Sequence, residues 1–281
     1  MISINIAALH GKYLEEVLES IRRQSYDCYE VIVVNGSDNG NVSKLARDYG
    51  ADEIVIGGSL LKARYAALTR SKGSHVFNLD ETRPLSRNDA LEMLSHHDSD
   101  MVFINEREVV KNLISKAADL DKEVTFSREN IMSLKPYVLP RFYNTEIYLK
   151  AIEEVKRNIG NIYERATILP EDLFIYSEAR KLSNNISIEF TPLIKHYGDF
   201  ALRDVIRKYY RYGKGYAFTS FTCYRDIGKD TIRERLSGRL KATKNFKELL
   251  ILASFLGIKG VCGLMGETTE KVRIAVNLDK N

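Results

Sequence analysis

Apolar and polar positions along the first part of the chain alternate with two different periods. Ile2, Ile4 and Ile6 are separated by polar residues, which is the period of two that a strand shows. The next apolar residues recur at helical spacing, at Leu14, Val17, Leu18 and Ile21. Residues 31–34 then form a continuous β-branched run, which is typical of a strand buried on both faces. The pattern predicts strand, helix and strand in succession.

The same alternation continues toward residue 80. It predicts a short helix ending before Gly50, a strand at 53–56, a helix capped by Ser59 that runs to residue 72, and a strand ending at Leu79. Strands that alternate with helices imply βαβ units, so we expect an α/β fold with a mostly parallel central sheet flanked by helices. Because such crossovers are right-handed, the carboxyl ends of these strands should meet at one edge.

Later elements follow from shorter patterns. Ser86 and Asp89 resemble a capping box for a helix through Leu94. The predicted order then has a strand at 101–104, a helix at about 109–121, an irregular stretch at 126–143, helices from 147 and 175, and an edge strand at 186–190. We expect a main domain over residues 1–222 and a C-terminal helical appendage over 223–281, where the composition becomes basic and then apolar.

The composition excludes several classes of protein. Of 281 residues, 44% are hydrophobic and 28% are charged, so the chain is globular rather than disordered. The formal net charge of +4 is too small to predict a nucleic-acid partner, but it suits an anionic small ligand or surface. Three distant cysteines argue against a disulfide framework and favour a reducing, cytoplasmic location. The first residues do not resemble a signal peptide.

Acidic side chains follow one of the predicted buried strands directly. Residues 76–79 lead into Asp80 and Glu81, and a buried strand has no need of carboxylates at its tip. The ends of two other strands, at residues 7–10 and 35–38, are expected at the same edge. Ligands of open α/β sheets bind there, so we predict a site for an anionic ligand such as a nucleotide. The alternative is a solvated acidic turn before Pro84.

Six segments of the chain, taken in order, resemble the landmarks of one known family. They are residues 13–26 (a first helix and its Gln-Ser-Tyr ending), 29–38 (a uridine-contacting strand and loop), 62–68 (an Ala-Arg helix), 74–82 (a segment ending in a DxD motif), 170–172 (a Glu-Asp motif) and 195–196 (a late histidine). Over residues 1–220 the chain thus resembles a family 2 inverting glycosyltransferase. Asn35 and Thr82 stand where that family usually has Asp, and Tyr65 where it often has Asn.

The resemblance implies a fold, a reaction and a set of roles. The fold would be GT-A-like, with a Rossmann-like nucleotide-binding half at 1–105 and an acceptor half at 106–222. A sugar would pass from a nucleotide-sugar donor to a hydroxyl of an acceptor, on a lipid-linked or cell-surface glycan. The implied donor-binding residues are Ala8, His10, Asn35, Ser37, Asp38, Arg64, Asp80 and Glu81. The implied general base is Asp172, assisted by Glu171, and the implied ligands of a divalent cation, Mg²⁺ or Mn²⁺, are Asp80, Thr82 and His196.

Structural explanations also exist for three of these residues. Arg64 lies on an otherwise apolar helix and could extend to the surface along its aliphatic stem. Asp172 could cap a helix after Pro170. His196 could be an ordinary buried histidine near a strand end.

The C-terminal part of the chain allows two predictions. The apolar run at 249–256 is followed by the interruptions Gly257, Lys259, Gly260 and Gly263, so it falls short of the roughly 20 uninterrupted apolar residues of a spanning helix. The preceding basic segment fits peripheral contact with the anionic inner face of the cell membrane. The alternative is a pair of helices packed on the core or on a second copy in a homodimer. Residues 209–216, which are aromatic and basic, either stack on a glycan or pack internally.

Two other functions compete with the glycosyltransferase interpretation. A sugar-phosphate nucleotidyltransferase shares a similar core, but it would need a Gly-rich, basic loop after the first strand. Residues 7–11 do not supply one. A degenerate module that binds a glycan or a partner without turnover would explain the departures at Asn35 and Thr82.

Overall fold

The computed structural model of the protein describes residues 1–37, 40–126, 139–160, 170–198, 201–219, 222–224 and 243–278. Contacts divide the chain into two compact units. The first comprises Met1–Arg107, Leu139–Arg157 and Glu171–Tyr197, and the second comprises Glu108–Val138, Asn158–Pro170 and Gly198–Asn281. The domain boundary predicted at residue 222 stays a prediction, because residues 225–242 lie outside the described ranges.

Strands and helices alternate along the chain as the sequence predicts. The strands are β1 (Ile2–Ala8), β2 (Tyr29–Asn35), β3 (Asp52–Val55), β4 (His75–Asp80), β5 (Met101–Glu108), β6 (Phe142–Asn144) and β7 (Ile186–His196). The helices are α1 (Leu14–Arg22), α2 (Gly40–Asp48), α3 (Leu60–Arg70), α4 (Ala90–Ser95), α5 (Leu113–Thr125), α6 (Thr145–Ile159), α7 (Glu171–Leu182), α8 (Leu202–Thr219) and α9 (Phe246–Leu278).

The first unit is built on a mixed, mostly parallel seven-stranded sheet, with the order β3-β2-β1-β4-β6-β5-β7. Strand β1 is central and runs parallel to both β2 and β4. Ala8 pairs with Asn35 and Ala7 with Asp80, so the carboxyl ends of the three strands are aligned. Strand β6 is antiparallel to β4 and β5. The predicted mostly parallel sheet, with its strand ends at one edge, is confirmed.

The alternation of side chains along β4 separates its core face from its polar face. Phe77 and Leu79 are fully buried in the main hydrophobic core, where helix α1 also contributes its apolar face. Asn78 and Asp80 occupy the alternate positions and therefore face the other side of the sheet. A Cβ at Gly73 would lie 2.6 Å from the backbone nitrogen of Ser3, so only glycine allows the chain to enter β4 this close to β1.

The second unit contains α5, α8 and α9. Helices α8 and α9 approach at their backbones, because a Cβ on Gly213 or Gly266 would overlap a carbonyl oxygen of the other helix. Helix α5 packs on α9 through a buried cluster that contains Val124, Leu252 and Leu256. Tyr209 is half-buried beside a second apolar cluster, and the Lys259 ammonium lies 4.6 Å from its ring centroid. At Tyr209, the aromatic run 209–216 therefore packs internally.

Three local predictions are wrong. Asp89 precedes α4 but its side chain makes no capping hydrogen bond, because it pairs with the Arg87 guanidinium at 2.7 Å. Helix α5 begins at Leu113 rather than near 109, because Asn112 and Ser115 form a capping box there. The end of the stretch predicted to be irregular, 126–143, forms the first two residues of strand β6, whereas its residues 127–138 lie outside the described ranges.

The prediction that the apolar C-terminal run falls short of a spanning helix is also wrong. Helix α9 is continuous over 33 residues, since its glycines at 263 and 266 lie at the close approach to α8 and do not break the helix. Among the described residues, Phe246–Ile274 is long and apolar enough to cross a membrane by length and composition, with a mean hydropathy of 1.9 and 22% of that window buried.

Candidate active site at the carboxyl edge of the sheet

The turn after β4 is tied to the loop after β1. The Glu81 carboxylate accepts hydrogen bonds from the backbone amides of His10, at 3.1 Å, and Gly11. Gly11 has a φ of +72°, which only glycine adopts without strain, and this conformation turns its amide toward the carboxylate. The structure thus brings Glu81 and His10 together, with Glu81 holding the loop.

The loop after β2 completes this part of the edge. The Gly36 amide donates to the Ala8 carbonyl at 2.8 Å, and the Ser37 hydroxyl donates to the Leu9 carbonyl. Asn35 is fully buried and its amide donates to Ser43 Oγ at 3.2 Å and Glu53 Oε1 at 3.0 Å. Its side chain therefore braces the end of β2 within the fold. Asp38 lies outside the described residues.

Arg64 joins two of the predicted site carboxylates. It projects from the buried face of α3, a helix that begins at its Ser59 cap, and it is only 3% exposed. Its Nη2 lies 3.5 Å from Asp80 Oδ1 and its Nε lies 3.1 Å from Asp172 Oδ1. Burial by itself lowers the pKa of Arg64, but the facing carboxylates, Asp172 foremost, raise it above its ordinary value. Arg64 is therefore a fixed cation between two carboxylates that are distant in sequence.

Several buried polar atoms in this region have no hydrogen-bond partner among the described residues. They are Arg64 Nε, Asp80 Oδ1 and both side-chain polar atoms of Asn78. Arg64 Nε and Asp80 Oδ1 each lie within ion-pair distance of a partner, but neither atom is aligned with that partner for a hydrogen bond. Buried polar groups in native proteins nearly always have a partner. Water or polar groups of a ligand are the partners that this cluster requires.

A second arginine flanks Asp80. The Arg83 guanidinium pairs with Asp80, and its Nε lies 3.2 Å from Glu106 Oε2. Arg141 reaches the same Glu106 oxygen at 3.4 Å. The sequence-based reasoning missed Arg83, although its position directly after the acidic turn was an available signal. Glu106 and Arg141 gave no such signal, because only the antiparallel pairing of β5 and β6 brings their segments together.

Two buried tyrosines line the region around Arg64 and were also missed. Tyr143 and Tyr148 are almost fully buried, and their rings are 4.5 Å apart. Burial raises the pKa of both hydroxyls, and the Asp172 carboxylate raises it further. Their hydroxyls therefore stay protonated at neutral pH. In the sequence, they resemble ordinary core aromatics of β6 and α6.

Glu171 and Asp172 occupy the first turn of α7, where the helix dipole favours acidic side chains. Glu171 is buried, whereas the Asp172 side chain is 32% exposed. Thr82 and His196 are brought near one another, because the Thr82 carbonyl accepts from the Tyr197 amide at 2.9 Å. His196 is buried at the end of β7.

The residues predicted to hold a divalent cation do not fit one as placed. Asp80 faces two guanidiniums, which oppose a further positive charge, and Thr82 supplies no carboxylate. Glu81 holds backbone amides. Among the described residues, no group of three or more His, Cys, Asp or Glu side chains could hold a metal ion. The predicted Mg²⁺ or Mn²⁺ site at Asp80, Thr82 and His196 stays a prediction.

Solved structures share this architecture at low sequence identity. S. aureus TarS is 15% identical with a TM-score of 0.50, over 96% of this chain and 54% of that chain. S. aureus TarS in complex with UDP-GlcNAc is 16% identical with a TM-score of 0.50, over 98% and 92%. The mannosyltransferase PcManGT from Pyrobaculum calidifontis, in complex with GDP-Man and Mn²⁺, is 15% identical with a TM-score of 0.52, over 99% and 80%.

The chain spans about half the length of the first of these structures. No protein-family model matches the chain, and no curated protein matches it. At these identities the likeness concerns the fold, and it agrees with the strand order and the arrangement of the first unit. The chain has a GT-A glycosyltransferase fold, as its sequence predicts.

Proposed function

We propose that this chain is an inverting glycosyltransferase of the family 2 type, which moves a sugar from a nucleoside diphosphate to an acceptor hydroxyl. One observation carries the proposal: buried Arg64 joins Asp80, at the tip of a parallel strand, to Asp172, at the start of a helix far along the chain. In the structures with the same fold, TarS is bound to UDP-GlcNAc and PcManGT to GDP-Man. A nucleotide-sugar donor is therefore the ligand that we propose here.

Asp172 is the proposed general base. Its side chain is partly exposed, whereas Arg64 beneath it is buried, so an acceptor can approach the carboxylate from solvent. The acceptor oxygen bonds to the anomeric carbon while its proton passes to Asp172, and the bond from that carbon to the diphosphate oxygen breaks. Attack opposite the leaving group inverts the anomeric centre, and no covalent enzyme intermediate is needed. Glu171 is proposed to orient the acceptor.

The proposed role of Arg64 and Arg83 is to stabilise the diphosphate as it leaves. Negative charge develops on the bridging oxygen in the transition state, and fixed cations facing it lower the barrier. A guanidinium presents a planar fork that matches two phosphate oxygens. Asp80 contacts both arginines and would position them.

The nucleoside is proposed to lie along the loops after β1 and β2. Ala8, His10, Asn35 and Ser37 are gathered there, and Asp38 follows them in the chain. Because the Asn35 amide is engaged by Ser43 and Glu53, it would act by fixing the shape of this loop. We propose that the acceptor is a hydroxyl of a lipid-linked or cell-surface glycan, handled at the cytoplasmic side of the membrane.

A degenerate binding module is the second candidate. The observation that favours it is the pairing of Asp80 with two arginines, together with Thr82 where the resembled family has a metal-binding Asp. Such a module would bind a nucleotide or a glycan without turnover. This outcome can be separated from transfer by measuring binding and reaction on the same protein.

The test combines ligand-induced stabilisation with a single variant. A panel of nucleotide-sugars is first screened for a rise in Tm, because a ligand that binds only the native state must stabilise it. With the donor so found, Asp172→Asn should abolish transfer and keep donor binding. Asp52→Asn is the matched control, since Asp52 also pairs with an arginine, Arg70 at 3.2 Å, but on the surface.

The outcomes distinguish the two candidates. Transfer by the Asp52→Asn variant and none by the Asp172→Asn variant would support the proposed base. Unchanged transfer by Asp172→Asn would mean that another group takes the proton. The degenerate module would be favoured if the unmodified protein binds the donor but neither transfers the sugar to any glycan acceptor nor hydrolyses the donor.

A further inference from the structure

One asparagine in the middle of the sheet has a buried side chain without a hydrogen-bond partner. Asn78 of β4 is 3% exposed, and neither its carboxamide nitrogen nor its carboxamide oxygen has a partner among the described residues. Its backbone amide is satisfied, because it donates to the Arg141 carbonyl at 2.8 Å. A buried polar group that lacks a partner lowers the stability of a fold, so a carboxamide in this place needs an explanation.

The neighbouring asparagine on β1 shows what a buried carboxamide normally does in this sheet. Asn5 pairs with Asn78 in the register of β1 and β4 and is 2% exposed. Its nitrogen and its oxygen each lie 3.2 Å from Ser71 Oγ, within hydrogen-bond distance. The fold therefore explains the carboxamide of Asn5, whereas among the described residues it does not explain that of Asn78.

Asp80 is the neighbour of Asn78 that can use a hydrogen-bond donor. Both side chains face the same side of the sheet, and alternate residues of a strand are about 6.6 Å apart, so their ends can meet. Asp80 Oδ1 is buried and lacks an aligned hydrogen bond, although Arg64 Nη2 lies 3.5 Å from it. Asn78 Nδ2 is a donor and Asp80 Oδ1 is an acceptor, so the two atoms are complementary.

The arginines around Asp80 determine when this pairing is needed. Without a ligand, the Asp80 carboxylate faces Arg64 and Arg83. A diphosphate is a second anion for the same guanidiniums, whose planar forks match two phosphate oxygens. The Asp80 side chain is 21% exposed, so a carboxylate that shares its arginines with a diphosphate needs a further donor from the protein.

We propose that Asn78 is a positioning residue of the donor site, which supports Asp80 while the two arginines hold the diphosphate. Asn78 Nδ2 donates to Asp80 Oδ1, and Asn78 Oδ1 is left to accept from the Arg64 guanidinium. The residue acts through these neighbours, because its carboxamide is buried too deeply to touch a ligand. The inference rests on the function proposed above, and it explains why an unsatisfied carboxamide is present in the unliganded protein.

The experiment compares diphosphate binding with stability in the variant Asn78→Leu, which keeps the approximate shape of the side chain and removes both polar atoms. The probes are UDP, GDP, ADP, CDP and dTDP. Binding is measured by calorimetry in EDTA, so that no divalent cation can replace Asn78 beside Asp80. For the diphosphate that binds the unmodified protein, Asn78→Leu should raise the Kd about tenfold. The Tm of the unliganded variant should stay the same or rise, because two unsatisfied polar atoms are removed.

Three further variants separate positioning from a structural role. Asn5→Leu is the matched control, and it should lower the Tm, because it removes a partner of Ser71, and leave the Kd unchanged. Asn78→Ala, which is too small to overpack the sheet, should raise the Kd by the same factor as Asn78→Leu. In a protein that already carries Asp80→Ala, Asn78→Leu should raise the Kd less than about threefold, because the proposed effect passes through Asp80.

The outcomes distinguish this inference from the proposed function. Three results would overturn the role of Asn78 and leave the donor site standing: an unchanged Kd in both Asn78 variants, full additivity with Asp80→Ala, or a Tm that Asn78→Leu lowers as much as Asn5→Leu does. Binding that appears only with Mn²⁺ would assign Asp80 to the cation and would also overturn this inference alone. If no diphosphate binds in EDTA or in Mn²⁺, the proposed function and the role of Asn78 are both wrong.

Discussion

Replacing Arg64 by methionine should destabilise the protein through charge rather than through packing. Methionine has a similar length and fills much of the space of the arginine stem, so little cavity is created. The change leaves Asp80 and Asp172 without the guanidinium that lies between them. Asp80 keeps Arg83 as a partner, whereas Arg64 is the cation that the described residues place beside Asp172. The effect should therefore come mainly from Asp172.

The magnitude follows from the two distances. At an effective dielectric constant of about 20, charges 3.1 Å and 3.5 Å apart attract by ~5 kcal/mol each before desolvation is subtracted. Burial of the guanidinium offsets most of this, and breaking such a buried pair from one side typically costs about 3–5 kcal/mol. Because the Asp172 side chain is 32% exposed, water screens part of the loss. We expect a decrease of about 2–3 kcal/mol in the free energy of unfolding.

Urea unfolding monitored by circular dichroism measures this difference. Arg70→Met on the same helix is the matched control, because Arg70 is 59% exposed and pairs with Asp52 at a similar distance. Exposed pairs contribute about 0–1 kcal/mol, so the control should change stability little. Arg64→Lys keeps the charge but loses the planar fork of the guanidinium. Its free energy of unfolding should therefore lie between those of Arg64→Met and Arg70→Met. Equal effects of Arg64→Met and Arg70→Met would refute the inference that Arg64 joins two carboxylates in a buried site.

Three other predictions concern pH, helix packing and metal dependence. Burial lowers the pKa of His75 below its ordinary value of 6.5, so the unfolded state binds more protons than the folded state as the pH falls. The free energy of unfolding should therefore decrease as the pH drops from 7 to 5. His75→Gln should reduce this pH dependence in urea titrations. Gly266→Ala should destabilise by about 1–3 kcal/mol through overlap with α8, whereas Gly260→Ala, which meets no atom within 4 Å, should stabilise α9 by about 0.5–1 kcal/mol in the same assay. Because Asp80 faces two arginines, a nucleoside diphosphate should raise the Tm equally in EDTA and in Mn²⁺; a rise that requires Mn²⁺ would show that Asp80 exchanges its arginines for a cation.

The sequence predicts the parallel part of the fold because its determinants are local. The β-branched run at 31–34 and the apolar residues before Asp80 each identify a buried strand, and the helices between them fix the handedness of the crossovers. The meeting of Arg64 and Asp80 follows from this topology. Asp172 lies far along the chain, so its approach to Arg64 could be expected only from the resemblance of 170–172 to a known motif.

The remaining contacts depend on pairings between distant segments. Strand β6 is only three residues long, and its place between β4 and β5 has no signature in its own residues. The proximity of Arg83, Glu106 and Arg141 depends on that pairing. Glu81 could be recognised as an edge carboxylate, but its hydrogen bonds to the backbone after β1 required the left-handed conformation of Gly11.

The register of β4 has a consequence for how substitutions would act. Side chains on a strand alternate, so a shift of one residue against β1 would exchange the places of Leu79 and Asp80. The anchoring of Phe77 and Leu79 in the interior therefore determines which way the Asp80 carboxylate points. A change deep in the interior, remote from any substrate, can for this reason impair the chemistry as severely as the loss of the carboxylate itself.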